Sequence, residues 1–406
     1  MTKKAMVAFS GGLDTSMLVP YIKETYGISD VMTCVVDTGG MSESEKEKVA
    51  ARANEVGSTK HVYINAEDDF YNEIIKYLIF GNISRDGYPL CVGSERLIQA
   101  REVVKAARAE GAEIIVHGST GAGNDQYRFD LVAHVLGQAD EARGLPALEI
   151  LAPIRTDNIK REFSQNFLKD RQITVSDKTA YSYNAGLWGV SIGGKETHTA
   201  TGLIPDDAWY SQADQAREDE IIEIEFVQGN PVAAMIGNKK IEGTLKVIKA
   251  LAECGGAFGI GRHYHVGTSI PGKKGRIAYE SPAADLLYEA HSTLEKITLT
   301  QAQIFFKKQV ANEVGRLIHE AKFFDPLLDD LRRFLESSQK RVTGKATLHL
   351  KTGRIAATTA QSPYDLLAAA GSVYGEFASF YSPADAAGSS KINAYEQVIY
   401  HGVKDK

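Results

Sequence analysis

Residues 5–16 read Ala-Met-Val-Ala-Phe-Ser-Gly-Gly-Leu-Asp-Thr-Ser, and this order of residue types limits what the chain can become. Residues 6–9 form an apolar run too short for a helix and suited to a strand buried on both faces. Ser10-Gly11-Gly12 breaks the run, and over 15–22 apolar residues return near helical spacing, with Pro20 expected in the first turn or at a bend. Strand, glycine turn, helix is therefore the expected order. Two glycines let a ligand approach the backbone amides, and a helix start adds about half a positive charge, so such a turn cradles phosphate. An ordinary βα turn also carries glycine. The hydroxyls of Ser10, Thr15 and Ser16 beside the glycines favour the anion. No lysine follows Gly12, which separates this turn from the Gly-x-x-x-x-Gly-Lys-Ser/Thr loop.

The rhythm repeats downstream. Residues 31–36 read as a second buried strand ending at Asp37-Thr38-Gly39-Gly40, Ser42 caps a charged helix over 43–55, and 60–64 is a third strand. Helices are expected at 67–80 and 94–109, the latter with Leu97, Ala100, Val104 and Ala107 on one face, and strands at 114–116 and 148–153. This alternation predicts an α/β chain with a doubly wound, mostly parallel sheet, whose ligands sit at the C-terminal ends of the strands. The helix at 161–169 closes the pattern, the rhythm stops near Lys178, and a boundary is placed at 165–175.

Residues 180–217 are rich in Gly, Thr, Ser and Asp with little periodicity, and read as an irregular binding segment. Strands at 221–226 and 231–236 flank a Gly229-Asn230 turn. Residues 255–276 are glycine-rich and basic. Helices follow at 283–296, 301–320 and 326–338, then a hairpin pairing 346–350 with 355–358. The expected division is 1–170 for the nucleotide-binding part, 171–362 for an α+β part, and 363–406 for a tail of short aromatic and small-residue segments lying on a partner subunit. An acidic excess of only six over 406 residues argues against a nucleic-acid surface. Cys34, Cys91 and Cys254 are odd in number and far apart, which suits a reducing cytoplasm and no zinc site. No apolar run approaches the ~20 residues of a membrane span, and the run before Ser10 is too short for a signal peptide.

The strand at 114–116 leads into His117-Gly118-Ser119-Thr120-Gly121-Ala122-Gly123-Asn124-Asp125-Gln126-Tyr127-Arg128-Phe129. Three glycines in six residues exclude a helix, and the polar run lies on the ligand side of the expected sheet. A flexible βα connection is the alternative.

Ser10-Gly11-Gly12-Leu13-Asp14-Thr15-Ser16 resembles the pyrophosphate loop of the N-type ATP pyrophosphatases. With Ala8-Phe9 before it and the 117–129 loop beside it, it is similar to the two signatures of the argininosuccinate synthase family. The likeness continues through Tyr88-Pro89-Leu90, Tyr181-Ser182, Leu187-Trp188-Gly189-Val190-Ser191, Gly259-Ile260-Gly261-Arg262, Gly275-Arg276-Ile277-Ala278-Tyr279-Glu280, Lys340-Arg341-Val342-Thr343-Gly344 and Ser362-Pro363-Tyr364. The resemblance implies an adenine nucleotide alpha hydrolase-like sheet with a synthetase domain. It also implies a cytoplasmic homotetramer that uses ATP and Mg2+ to join citrulline to aspartate through a citrullyl-adenylate.

Carried onto this sequence, the resemblance implies ATP binding by Ala8, Phe9, Ser10, Gly11, Gly12, Leu13, Asp14, Thr15, Ser16, Val36 and Gly118. Aspartate would meet Thr120, Asn124 and Asp125; citrulline would meet Tyr88, Asn124, Arg128, Ser182, Ser191 and Tyr279. Ser10, Asp14, Asn124, Asp125 and Arg128 are the implied catalytic group, with no protein-built metal site. Packed aromatics at Tyr88 and Tyr279, and an Arg128–Asp130 pair, are the structural alternatives. The sequence departs from the family pattern at Cys91-Val92-Gly93, where Gly-Thr-Ser is usual, so a serine hydroxyl is missing at Gly93. Val266-Gly267-Thr268 replaces Val-Glu-Asn, and Ala122 replaces a lysine. These departures resemble a divergent bacterial branch, with His265 or Thr268 as replacements for the lost glutamate. A ligase adenylating a different ureido or amide oxygen, and a silent nucleotide-binding paralogue, are the rival readings.

Overall fold

The computed structural model describes residues 3–121, 123–175, 180–214, 216–371, 373–376 and 380–403; Ala122 and Lys178 lie outside them. The first part is a five-stranded parallel sheet of Lys4–Ala8 (β1), Asp30–Asp37 (β2), His61–Asn65 (β3), Ile114–Val116 (β4) and Glu149–Leu151 (β5), in the order β3-β2-β1-β4-β5. Alternate residues of β1 serve opposite faces. Met6 joins the core with the Glu95–Ala109 helix, while Ala5 and Val7 pack with the Leu13–Thr25 and Arg161–Lys169 helices. The strand order reverses between β1 and β4, so the loops after these two strands open on one crevice.

Local signals account for the helix starts. Ser42 and Glu45 form a reciprocal capping box at Glu43–Glu55. Pro20 falls in the interior of the Leu13–Thr25 helix, not its first turn, where the burial of Met17, Leu18, Val19 and Ile22 holds the segment. The stretch expected as one helix over 67–80 is two α-helical pieces, Glu67–Phe70 and Lys76–Gly81, joined by a π-helical turn at Tyr71–Ile75.

Further along lie Ser182–Gly186 (β6), Gly189–Gly193 (β7), Glu220–Val227 (β8), Asn230–Ile236 (β9), Lys239–Glu242 (β10), Arg262–Thr268 (β11), Lys274–Glu280 (β12), Gly344–Lys351 (β13) and Arg354–Gln361 (β14). They form two antiparallel sheets, β10-β9-β8-β13-β14 and β11-β12-β7-β6. The second corrects the expectation of an irregular 180–217 segment and adds one strand inside the glycine-rich 255–276 region and another that begins at its end. β6 and β11 carry few apolar residues, and β7 shows its alternation only through Val190 and Ile192 in five residues, too short an apolar period to read. The Thr244–Ala257 and Asp125–Glu141 helices also went unforeseen; the second opens inside the 117–129 run, just past its last glycine at Gly123, and corrects the expectation that this run holds no helix. The helices Pro282–Thr298, Gln301–His319 and Pro326–Ser338 stand where periodicity placed them. The tail is not only short segments: Pro383–Gly402 is a helix of 20 residues with none buried.

One buried cluster runs from Met6 through Phe70, Leu78 and Leu97 to Leu287 and Leu350. At its centre lies a polar knot. Lys307 Nζ sits 2.8 Å from Glu295 Oε2, with side-chain exposures of 3% and 5%. Lys307 also donates to the Phe80 carbonyl at 2.7 Å, and Asn82 and Gln339 donate to Glu295 at 2.9 Å.

Candidate active site

A cleft of about 1090 Å³ opens at the C-terminal ends of β1, β2 and β4, lined from the other side by residues of β6, β7, β11 and β12. The Leu13–Thr25 helix begins on Gly12 with no side-chain cap, so its first-turn amides are available to an anion. Ser10 Oγ lies 3.1 Å from Thr15 Oγ1 and accepts from the Gly12 amide at 3.3 Å, which curls the loop. Gly11 adopts φ +74°, a conformation that suits glycine. A Cβ on Gly118 would lie 3.4 Å from Thr15, so the loop after β4 rests against the loop after β1. Ala8, Phe9, Leu13 and Val36 complete this end, and Asp14 accepts from Ser164 Oγ at 3.0 Å. Gly11 and Ser16 stand apart from the cleft wall: Ser16 is fully buried, donating to the Gly11 carbonyl at 3.2 Å and accepting from Arg52 at 2.8 Å. Ser16 braces the loop.

The second loop runs into the Asp125–Glu141 helix, on which His117 and Arg155 bond Asp130 and hold its carboxyl at about 2, outweighing the upward push of burial. Arg128 therefore does not pair with Asp130. Its NH1 donates to Asp125 at 3.0 Å, and Arg96 reaches the same carboxylate at 3.3 Å. Burial works to raise Asp125, but the two guanidinium groups hold it below the usual carboxylate range. Asn124 Oδ1 accepts from the Ile270 amide in the β11–β12 turn at 2.8 Å, which ties this loop to the second part of the chain. Thr120 lies exposed on the cleft wall.

Ser191 and Tyr279 face each other across β7 and β12, and Ser182 and His265 lie on the two edge strands, β6 and β11, of the same sheet. Ser182, Ser191 and Tyr88 line the cleft. Tyr279 is buried, packs edge-on against Tyr88 at 5.0 Å, and donates to the Gly87 carbonyl at 3.0 Å, so its hydroxyl shapes the turn that presents Tyr88. Two of the three departures from the family pattern are spatially explained. A Cβ on Gly93 would meet Arg128 Nη2 at 2.8 Å, and a Cβ on Gly267 would collide with His265 Nε2. The room that side chains at 93 and 267 would occupy is filled by Arg128 and His265. His265 also stacks on Tyr88 at 5.2 Å, while Thr268 accepts from Lys274 at 2.7 Å.

Two family models cover the chain: the arginosuccinate synthase N-terminal HUP domain matches residues 4–174, and the arginosuccinate synthase C-terminal domain matches 181–400. The argininosuccinate synthase of Methanosarcina mazei is 35% identical over 415 residues, covering 100% of both chains. The chain belongs to the argininosuccinate synthase family. The argininosuccinate synthase of Methanocaldococcus jannaschii is 37% identical, covering 90% of each chain, and that of Archaeoglobus fulgidus is 34% identical, covering 89% of this chain and 90% of the relative. These three organisms are archaeal, and the bacterial-branch expectation draws no support from them.

As a member of the argininosuccinate synthase family the chain is an ATP-dependent ligase of arginine biosynthesis. Motif reading missed Glu95, Arg96 and His319 on the cleft wall, because two open an ordinary amphipathic helix and one ends another. Glu95 accepts from Thr38 at 2.9 Å and from Arg96 at 3.2 Å. Burial raises its pKa to about 7, with Asp125 and Asp37 adding to the rise and Arg96 opposing it. The folded chain thus binds a proton there that the unfolded chain releases near 4.5, so this contribution to stability is lost as pH rises from about 4.5 through 7. Glu95→Gln is expected to flatten the fall in melting temperature over that window, read by thermal melts from pH 5 to 8.

Proposed function

We propose that this cleft carries out the family reaction, with the triphosphate on the 10–16 loop, aspartate at Thr120, Asn124 and Asp125, and citrulline at Tyr88, Arg128, Ser182 and Ser191. The observation that carries this reading is one continuous cleft with an uncapped helix start at one end and the buried Arg128, paired with Asp125, at the other. The ureido oxygen of citrulline attacks the α-phosphorus and pyrophosphate leaves. The aspartate amine then attacks the activated carbon and AMP leaves. This chemistry asks chiefly for alignment of three substrates and stabilisation of phosphate charge, which backbone amides, hydroxyls and guanidinium groups supply. Magnesium would neutralise part of that charge. Asp14, the carboxylate lining the cleft at the loop, fits an ion that keeps most of its waters and rides on phosphate. Tyr279, Ser16 and Gly11 act by shaping the loops, and His265 takes the place of the expected glutamate.

The division 1–170, 171–362 and 363–406 is proposed for the domains, and a homotetramer for the assembly. The Pro383–Gly402 helix buries no residue, and Ile392, Tyr395, Val398 and Tyr400 are 64–77% exposed; a lone helix of this length is marginal in water, and a partner subunit would cover it. No helix among the described residues is long and apolar enough to cross a membrane, and Cys34, Cys91 and Cys254 are buried and free, which supports a cytoplasmic setting. Pyrophosphate release by purified protein, omitting citrulline or aspartate in turn, tests the reaction. Release that requires citrulline, turnover that also requires aspartate, and a raised citrulline KM in His265→Ala are expected. ATP binding without citrulline-dependent release would move the substrate to another ureido or amide compound.

A further inference from the structure

His319 ends the Gln301–His319 helix on the wall of the cleft. Both its ring nitrogens are shielded from solvent, and among the described residues neither has a hydrogen-bond partner. The two fully buried histidines are satisfied: His291 meets Asn82 at 2.9 Å and Gln339 at 2.8 Å, and His117 meets Asp130 at 2.8 Å. A buried N–H and lone pair left unpaired cost their desolvation unless a ligand meets them. Arg128 lies alongside, its NH2 donating to the His319 carbonyl at 3.3 Å. The Arg128 side chain is 5% exposed, and its Nε is also buried without a partner. Both residues line the cleft, and each carries polar atoms with no partner among the described residues.

The charges around His319 select its ligand. Arg128, Arg85 and Glu320 are the charged groups nearest His319, with His265 beside them. Burial, then the guanidinium groups of Arg128 and Arg85, push the His319 pKa down to about 4, so the ring is neutral near pH 7 with one N–H to give. Asp125 also bonds Arg128 but is shared with Arg96, so Arg128 and Arg85 still favour an anionic group beside Glu320, and a planar carboxylate accepts from a guanidinium and an imidazole together.

We infer that His319 is a specificity-determining residue of the amino-acid site, donating its ring N–H to the α-carboxylate of the ureido amino acid that Arg128 also meets. This rests on the placement of citrulline at Arg128 proposed above. In steady-state kinetics on the full chain, His319→Leu is expected to raise the citrulline KM about 10- to 100-fold, leaving kcat and the KM values for ATP and aspartate within about two-fold. His319→Gln, which keeps an N–H donor, recovers most of the loss. His319→Leu also leaves unchanged the inhibition constant of the ureido amine that lacks the α-carboxylate. An unchanged citrulline KM in His319→Leu, with a raised one in Arg128→Met, overturns the inference and leaves the placement of citrulline standing. No change in either variant overturns both. Equal rises for all three substrates with a lowered melting temperature reduce His319 to a structural residue and also overturn it.

Discussion

Arg128→Met is expected to lower kcat/KM for citrulline on the order of 10²- to 10³-fold while the chain stays folded. Methionine keeps much of the stem's volume and removes the guanidinium that faces the amino-acid end of the cleft. Truncating one partner of a buried, hydrogen-bonded charge pair costs most when the other charge is stranded. Asp125 is not stranded here, because its side chain is 47% exposed and keeps Arg96 at 3.3 Å. The loss therefore falls on substrate, not on the fold. Arg128→Lys would recover little, since a point charge cannot span Asp125, the His319 carbonyl and a carboxylate from one plane. Initial rates with citrulline, aspartate and ATP varied separately check this. A defect confined to ATP would place Arg128 at the other end of the cleft.

Lys307→Met carries the largest expected effect on stability, a loss of about 3–5 kcal/mol. Glu295 is 5% exposed, and among the described residues its ammonium partner is Lys307, at 2.8 Å, with His291 at 3.9 Å. Burial pulls the Lys307 pKa down and Glu295 holds it up, so the pair persists because each ion supports the other. Removing the ammonium leaves a buried carboxylate with only the Asn82 and Gln339 amides and a histidine that burial drives toward its neutral form. Glu295→Leu added to Lys307→Met is expected to restore most of the loss, because the apolar pair strands no charge. Urea midpoints of the two variants and the parent measure both terms. Activity should fall with the folded fraction, since the knot joins residues 80–82 to the helices that end at Thr298 and His319.

Much of the first sheet was legible because its signals are local. β1, β2 and β4 are apolar runs between glycine turns, and Ser42 with Glu45 marks a helix start within four residues. The phosphate loop was legible for the same reason, since glycines and hydroxyls act within one turn of chain. The strands β6, β7, β11 and β12 were not, because one face lines a polar cleft and small residues such as Gly186, Gly189 and Gly267 interrupt any alternation. His319 was equally silent. At the end of an amphipathic helix it reads as a residue suited to the helix dipole, and only folding brings it beside Arg128, 191 positions away.

By itself, then, the sequence determined the order of elements in the first sheet, the anion-binding turn at 10–16, and the family. Each of these depends on neighbours along the chain or on ordered motifs. The tertiary structure decided who pairs with whom: Arg128 with Asp125 instead of Asp130, Ser16 with the loop instead of the cleft, and Tyr279 with Gly87. It also turned two missing side chains into occupied space, since Arg128 fills the room beside Gly93 and His265 the room beside Gly267. Pairing and packing depend on distances between residues far apart in the chain, and those distances exist only once the two parts close on one cleft.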